Sequence, residues 1–125
     1  MDNKLFILLA MIFLHIVDDY KLQGILASMK QKKWWKEQKE YKKLYEYDYI
    51  PALIEHSFSW TFMIMLPIAF ASHFSDWWIL VYIANMIVHA LVDDLKANKL
   101  KINLMVDQSI HIAQIIVTWL IFVCK

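Results

Sequence analysis

Four long apolar stretches restrict the folds that are open to this chain. They cover about residues 5–23, 50–72, 77–95 and 104–124, and each approaches the roughly 20 residues that a helix needs to cross a bilayer. Hydrophobic residues fill 60% of the 125 positions, more than a soluble domain of this size could readily bury. One Gly and two Pro leave few turn-forming residues, which favours long helices. We predict one all-α domain, residues 1–125, in which four transmembrane helices form a bundle.

The first apolar stretch also has the position of a secretory signal peptide. However, Asp2 stands beside Lys4 in the segment before it, and no small-x-small cleavage motif follows it. The polar residues at its end also have counterparts later in the chain. We therefore predict a membrane helix at this place.

Lysines are concentrated in two of the three predicted loops. All thirteen basic residues are Lys; seven lie within residues 30–43 and three more within residues 96–101, while the middle loop has none. Because Lys-rich loops stay on the cytoplasmic side of a membrane, we predict that both of these loops are inside and both termini outside. The predicted location is a bacterial inner membrane, which the chain crosses four times.

The segment between the first two helices is also rich in aromatic residues. Trp34, Trp35 and four tyrosines of residues 41–49 alternate with its lysines. This composition is typical of a membrane interface, and we predict that part of the segment forms a helix on the membrane surface. Nucleic-acid-binding proteins combine basic and aromatic residues too, but this chain has no Arg to bind phosphates through two parallel hydrogen bonds. We therefore predict the lipid bilayer, and no nucleic acid, as a partner.

Polar residues recur at helical spacing within the apolar stretches. In the first stretch His15, Asp19 and Gln23 follow one another every four residues, so they share one face of a helix. Such groups are costly beside lipid unless they meet partners. The other stretches supply those partners, namely His56, His89 with Asp93, and Asp107 with His111.

The predicted direction of each helix arranges these residues in two layers. At a rise of about 1.5 Å per residue, the four histidines lie about 9–12 Å from the cytoplasmic ends of their helices. The carboxylates lie about one turn closer to those ends. On the fourth helix Asp107 precedes His111, as a helix of the opposite direction requires. We predict a divalent metal site whose candidate ligands are His15, Asp19, His56, His89, Asp93, Asp107 and His111.

Imidazole and carboxylate ligands suit zinc, iron or manganese, and we favour zinc. Seven candidate ligands allow for one or two ions. A single histidine in a membrane helix more often forms only an interhelical hydrogen bond. The hypothesis of a metal site therefore depends on the shared depth of these residues. His73, in the predicted outer loop, has no such partner, and we interpret it as a surface residue.

Further residues are candidates for catalysis or substrate binding. Asp19, Asp93 and Asp107 are candidate general bases, and so is Glu55, although adjacent helical positions such as 55 and 56 diverge by about 100°. Asp18, Asp94 and Gln108 adjoin these residues and are typical of helix ends or interfaces. The candidates for orienting ligands or binding substrate are Gln23, Asn85, Lys30 and Lys96.

These motifs resemble a bacterial and phage membrane family known as domain of unknown function 3307. Its pattern is His-x3-Asp-aromatic-x2-Gln, then a Lys, a central His, His-x3-Asp-x2-Lys and Asp-Gln-x2-His. The resemblance covers nearly the whole chain, and it implies the membrane fold and the site. Related small membrane proteins are described as membrane-bound metal-dependent hydrolases, which by analogy implies hydrolase activity. The matching residues here are His15, Asp19, Tyr20 (where Phe is usual), Gln23, Lys30, His56, His89, Asp93, Lys96, Asp107, Gln108 and His111.

Three functions are compatible with this sequence. The one we favour is a metal-dependent hydrolase that acts on a phospholipid or another lipid-like substrate at the cytoplasmic leaflet. A non-catalytic protein with a structural ion, acting through partners, is the first alternative. Transport of a divalent metal is the second, and the lack of carboxylates in the outer halves of the stretches disfavours it. A homo-oligomer is compatible with each function.

The distribution of lysines makes the topology testable by cysteine labelling. In a Cys124→Ser background, we expect Lys36→Cys to react with a membrane-impermeant thiol reagent only from the cytoplasmic side. His73→Cys should react only from outside. Labelling in the reverse pattern would contradict the predicted directions of all four helices, and with them the two layers.

Overall fold

The computed structural model describes residues 3–71 and 75–124, and every regular element in these ranges is a helix. The predicted all-α class is therefore confirmed. Helix α1 (Asn3–Val17) continues directly as a π-helix (Asp18–Leu22). Two short helices follow, α2 (Leu26–Met29) and α3 (Lys32–Lys36), and then a 3-10 turn (Lys43–Tyr45). The three long helices that complete the chain are α4 (Tyr49–Ala71), α5 (Trp78–Ala97) and α6 (Leu104–Val123).

Three helical stretches are long and apolar enough to cross a membrane, judged by length and composition. They are residues 43–71, 78–97 and 104–123. The first apolar stretch differs, because α1 has only 15 residues and the rest of the stretch is the 5-residue π-helix. The sequence pattern predicted one uniform helix there, and the structure divides it into two helix types.

Local sequence explains where several helices begin and turn. Pro51 lies in the first turn of α4, where its missing N–H is not needed. The Asn103 side chain accepts a hydrogen bond of 3.0 Å from Val106 N and so caps the start of α6. Gly24 has a φ of 51°, a conformation that favours glycine, and it turns the chain after the π-helix toward Lys30.

The four longest helices pack side by side, and each of them contacts at least two of the others. Helices α1 and α5 each contact both α4 and α6. One face of α4 lies at the centre: His56, Trp60, Ile64 and Ile68 recur every four residues and are fully buried. Beyond His56, toward the end of α4, this face contributes to an apolar core. The core consists of Met11, Trp60, Ile64, Met65, Ile68, Ile115 and Phe122.

The outward faces of the long helices are apolar as well. Phe13 on α1, Phe58 on α4, Leu91 on α5 and Val117 on α6 each expose more than half of their surface. Apolar surface on every side is unusual for a protein in water.

The Lys- and aromatic-rich segment forms short helices rather than one long surface helix. The rings of Trp35 and Tyr45 stack with their centroids 6.3 Å apart, and Trp35 Nε1 donates a hydrogen bond to Met29 O. The Lys32 ammonium lies 4.8 Å from the centre of the Tyr49 ring. These contacts hold the segment against the beginning of α4.

The turn at Gly24 offers a test of how the chain reaches the interior. We expect Gly24→Ala to lower the free energy of unfolding by about 1–2 kcal/mol, because a side chain is disfavoured at positive φ. Thermal unfolding in detergent would measure the change. Leu100, which is exposed and also has a φ of 51°, provides the matched control, and Leu100→Gly should not destabilise the protein. Equal stability of wild type and Gly24→Ala would contradict a turn with positive φ at this position.

Candidate metal centre

The π-helix directs two consecutive carboxylates into the protein. Gln23 N donates to Asp18 O, five residues back, at 3.1 Å. This wider turn reduces the angle between neighbouring side chains, so Asp18 and Asp19 are both buried, with 0% and 8% of their surface exposed. The sequence pattern had suggested an interfacial Asp18, and this interpretation is wrong because it assumed an α-helix. Segments of π-helix occur frequently at functional sites.

Three ligand atoms, Asp19 Oδ1, His56 Nε2 and His89 Nε2, meet where the π-helix, α4 and α5 come together. His56 Nε2 lies 3.1 Å from His89 Nε2 and 3.2 Å from Asp19 Oδ1. Asp93 Oδ2 lies 3.4 Å from His56 Nε2 and 3.8 Å from His89 Nε2. A tetrahedral ion with bonds of about 2.0–2.1 Å holds its ligand atoms about 3.3 Å apart. The spacing of Asp19 Oδ1, His56 Nε2 and His89 Nε2, which we call the ligand group, therefore suits a first-row metal ion.

One oxygen of the ligand group lacks a hydrogen bond. Asp19 Oδ1 is buried and receives none from the described residues. A buried carboxylate oxygen without a partner is costly. An ion at the centre of the ligand group would satisfy it, so these residues could hold a metal ion.

His111 joins the ligand group from α6. Its Nδ1 lies 3.1 Å from His89 Nδ1, and its Nε2 lies 3.3 Å from both Asp93 Oδ1 and Asp107 Oδ1. Asp93 thus faces the ligand group with one oxygen and His111 with the other. His89, Asp93 and His111 form a second set of atoms that could hold an ion.

His15, which the sequence predicted to be a ligand, instead positions another side chain. Trp60 Nε1 donates to His15 Nδ1 at 2.8 Å, which leaves the proton of the neutral ring on Nε2. His15 Nε2 then donates to Gln108 Oε1 at 3.0 Å. The Gln108 amide donates in turn to Asp19 Oδ2 and Asp107 Oδ2, at 3.2 and 3.0 Å. Both ring nitrogens of His15 therefore have protein partners, and the ring orients carboxylates through Gln108.

Two side chains hold the histidines of the ligand group in place. The Trp60 ring stacks on His89 with centroids 4.1 Å apart and an angle of 18°. Asp18 Oδ2 lies 3.7 Å from His56 Nδ1, while Ser59 Oγ donates to Asp18 Oδ1 at 2.7 Å. A metal-binding histidine commonly directs its other nitrogen toward a carboxylate. Sequence reasoning did not single out Trp60, although its position four residues after His56 was a signal.

Two lysines offset part of the negative charge of the centre. Lys30 is 6% exposed, and its Nζ donates to Asp93 Oδ2 at 2.6 Å and to Gln23 Oε1 at 3.1 Å. Lys96 Nζ donates to Asp107 Oδ2 at 2.8 Å. Four carboxylates and two ammonium groups are thus brought together, which leaves two negative charges for a divalent ion or protonated histidines to balance. The four carboxylates are those of Asp18, Asp19, Asp93 and Asp107.

A cavity of about 120 Å³ connects the ligand group with the surface. Asp19 and Asp93 form its inner wall, and the exposed side chains of Tyr20 and Leu104 lie at its rim. It can hold several water molecules, since one needs only about 10–15 Å³ of such space. We call it the entry cavity.

The remaining predicted residues lie outside the ligand group. Glu55 is exposed, because it diverges from His56 around α4, so the predicted role as general base is not supported. Asn85 is buried and supports His111 indirectly: its Oδ1 accepts from Gln114 Nε2 at 3.1 Å, and Gln114 Oε1 lies 3.2 Å from His111 Nδ1. The prediction for His73 concerns a position outside the described residues.

Comparison with protein-family models, with curated proteins and with solved structures finds no match to this chain. The resemblance to domain of unknown function 3307 therefore stays a prediction.

The ligand group predicts how metal content depends on single residues. Wild type purified without chelator should carry a stoichiometric divalent ion, measured by elemental mass spectrometry. His56→Ala and His89→Ala should lose most of it, and Asp18→Asn should weaken binding about 10–100-fold through the orientation of His56.

Glu55→Gln is the matched control, because it removes an exposed carboxylate beside His56 and should leave the metal content unchanged. Wild type without stoichiometric metal would mean that the histidines form only interhelical hydrogen bonds.

Proposed function

We propose that this chain is an integral membrane protein that binds a divalent metal ion and hydrolyses a lipid-like substrate at the cytoplasmic leaflet. The observation that carries the proposal is the convergence of three ligand atoms, with Asp93 next to them, beside the entry cavity. The ligand atoms come from Asp19, His56 and His89.

In this proposal the chain crosses a bacterial inner membrane four times, with both termini outside. Helix α1 and the π-helix together span about 30 Å at about 1.5 Å per residue, which matches the hydrocarbon core of a bilayer. The apolar outward faces support contact with lipid. The buried carboxylates support the same interpretation, since charged groups in membrane proteins face the interior and mark functional sites.

Zinc is the ion that the ligand group favours. The ligand group supplies two imidazole nitrogens and one carboxylate oxygen. Cys124 does not belong to it and is exposed at the far end of the chain. The tetrahedral spacing is typical of zinc, whereas magnesium and calcium prefer six or more oxygen ligands. A second ion near His111 is an extension that the other set of atoms allows.

The residues of the centre have distinct roles in the proposed hydrolysis. A bound zinc ion would activate water and polarise the bond that is cleaved. His56, His89 and Asp19 would hold the ion, while Asp18 and Trp60 orient the two histidines. We assign to Asp93 the role of general base, because it borders both the ligand group and the entry cavity.

A structural ion is the second candidate, and a specific observation favours it. If Asp93 Oδ2 also binds the ion, the shell closes with four protein ligands, as in structural zinc sites. The protein would then act through partners. Transport has less support, because the buried carboxylates of the described residues all lie in this one centre.

Asp93→Asn separates hydrolase from structural site. For a hydrolase, we expect the variant to keep its fold and most of its metal but to lose turnover by about 10²–10⁴-fold, the usual contribution of a general base. The assay incubates metal-loaded protein with bacterial lipid extract and follows products by mass spectrometry.

Metal removal provides the complementary measurement. A structural ion predicts a large fall in the thermal unfolding temperature on chelation, and no lipid product from metal-loaded wild type. That pair of results would replace the hydrolase proposal with the structural one.

A further inference from the structure

We infer that the entry cavity receives the phosphate group of an anionic ligand, and that the ammonium groups of Lys30 and Lys96 bind it. This inference deepens the proposed function and rests on it, because the metal ion supplies the charge that lets an anion enter. It narrows the substrate class to phosphate-bearing molecules.

The two lysines have hydrogen-bond donors that are available to a ligand in the cavity. An ammonium group has three N–H donors. Lys30 uses two, toward Asp93 Oδ2 and Gln23 Oε1, and its third has no acceptor among the described residues. Because Lys30 is almost fully buried and lines the cavity, that donor needs a ligand or water inside it. Lys96 uses one donor, toward Asp107 Oδ2, and lines the same cavity.

The charges of the centre make the binding of an anion depend on the metal ion. Without an ion, the surplus of two negative charges repels an anion from the cavity. A divalent ion in the ligand group removes that surplus, and the two ammonium groups then face an anion without competition from unbalanced carboxylates. Anion and metal should therefore bind cooperatively, and by linkage each should strengthen the other.

The donors that line the cavity suit phosphate better than carboxylate. A phosphate offers three or more oxygens, one for each ammonium group and at least one more, while a carboxylate offers only two. Lysine binds phosphate as a compact charge. At about 120 Å³ the cavity accommodates a phosphate group but not an acyl chain, which would extend past Tyr20 and Leu104 at the rim.

The test is calorimetric titration of zinc-loaded, full-length protein in non-ionic detergent, after excess zinc has been removed. Three probes are titrated: inorganic phosphate, glycerol phosphate and a short-chain phosphatidylglycerol. We expect binding to zinc-loaded wild type and at least about tenfold weaker binding to the zinc-free protein, to Lys96→Gln and to Lys30→Gln, since each change removes a charged partner. Lys30→Arg, which keeps the charge, should restore part of the binding if Lys30→Gln folds poorly.

Lys99→Gln is the matched control. Lys99 lies close to Lys96 in the sequence, is half exposed and pairs with Asp94 at 3.6 Å, outside the cavity. Its loss should leave phosphate binding unchanged. Equal weakening by Lys99→Gln and Lys96→Gln would overturn the inference, because it would show general charge attraction.

The outcomes separate this inference from the proposed function. If wild type holds stoichiometric zinc and binds none of the three probes, the phosphate inference fails and the metal centre stands. If wild type holds no stoichiometric divalent metal ion, the proposed function fails and the inference fails with it. Binding of all three probes supports a phosphate site open to soluble ligands, and binding of the phosphatidylglycerol alone supports a lipid headgroup.

Discussion

The structure depends on how four carboxylates are compensated among apolar helices. Removing a charge from water costs several kcal/mol per ion unless partners replace the water. The four carboxylates lie at one level. Asp18 and Asp19 of the π-helix face His56 of α4, and Asp93 of α5 faces His111 of α6. Asp107 faces the same His111, one turn further along α6. The helices therefore cannot slide or rotate independently, since any such movement would leave a buried charge without its partner.

The sequence was informative wherever the backbone repeat alone determines position. Helical spacing predicted that His89 and Asp93 share a face, and the rise per residue predicted that His56, His89 and His111 lie at one depth. The structure brings these side chains within hydrogen-bonding distance. The same spacing indicated that Glu55 diverges from His56, and its exposure agrees. The all-α class followed from the apolar stretches and the scarcity of Gly and Pro.

Features that depend on helix type and on ring orientation could not be predicted. No residue pattern in the first stretch predicts a π-helix, so the sequence did not indicate that Asp18 is buried beside Asp19. Spacing also does not say which nitrogen of a histidine finds which partner. His15 shares the predicted face and depth, yet the Trp60 hydrogen bond directs its ring toward Gln108 instead of the ligand group. Contacts between different helices determine the orientation of the His15 ring, and the spacing of residues within one helix does not reveal them.

The supports of the ligand group bear on what a bound ion does. Ser59 holds Asp18, Trp60 packs on His89, and Gln108 holds Asp19, so the ligands are oriented by protein hydrogen bonds and ring contacts. The apolar core above them closes the helices without using a ligand. Structural zinc sites differ, because there the metal itself supplies much of the folding energy. A centre that is preorganised by its own neighbours, beside a cavity that water can enter, supports the proposed hydrolase over a structural site.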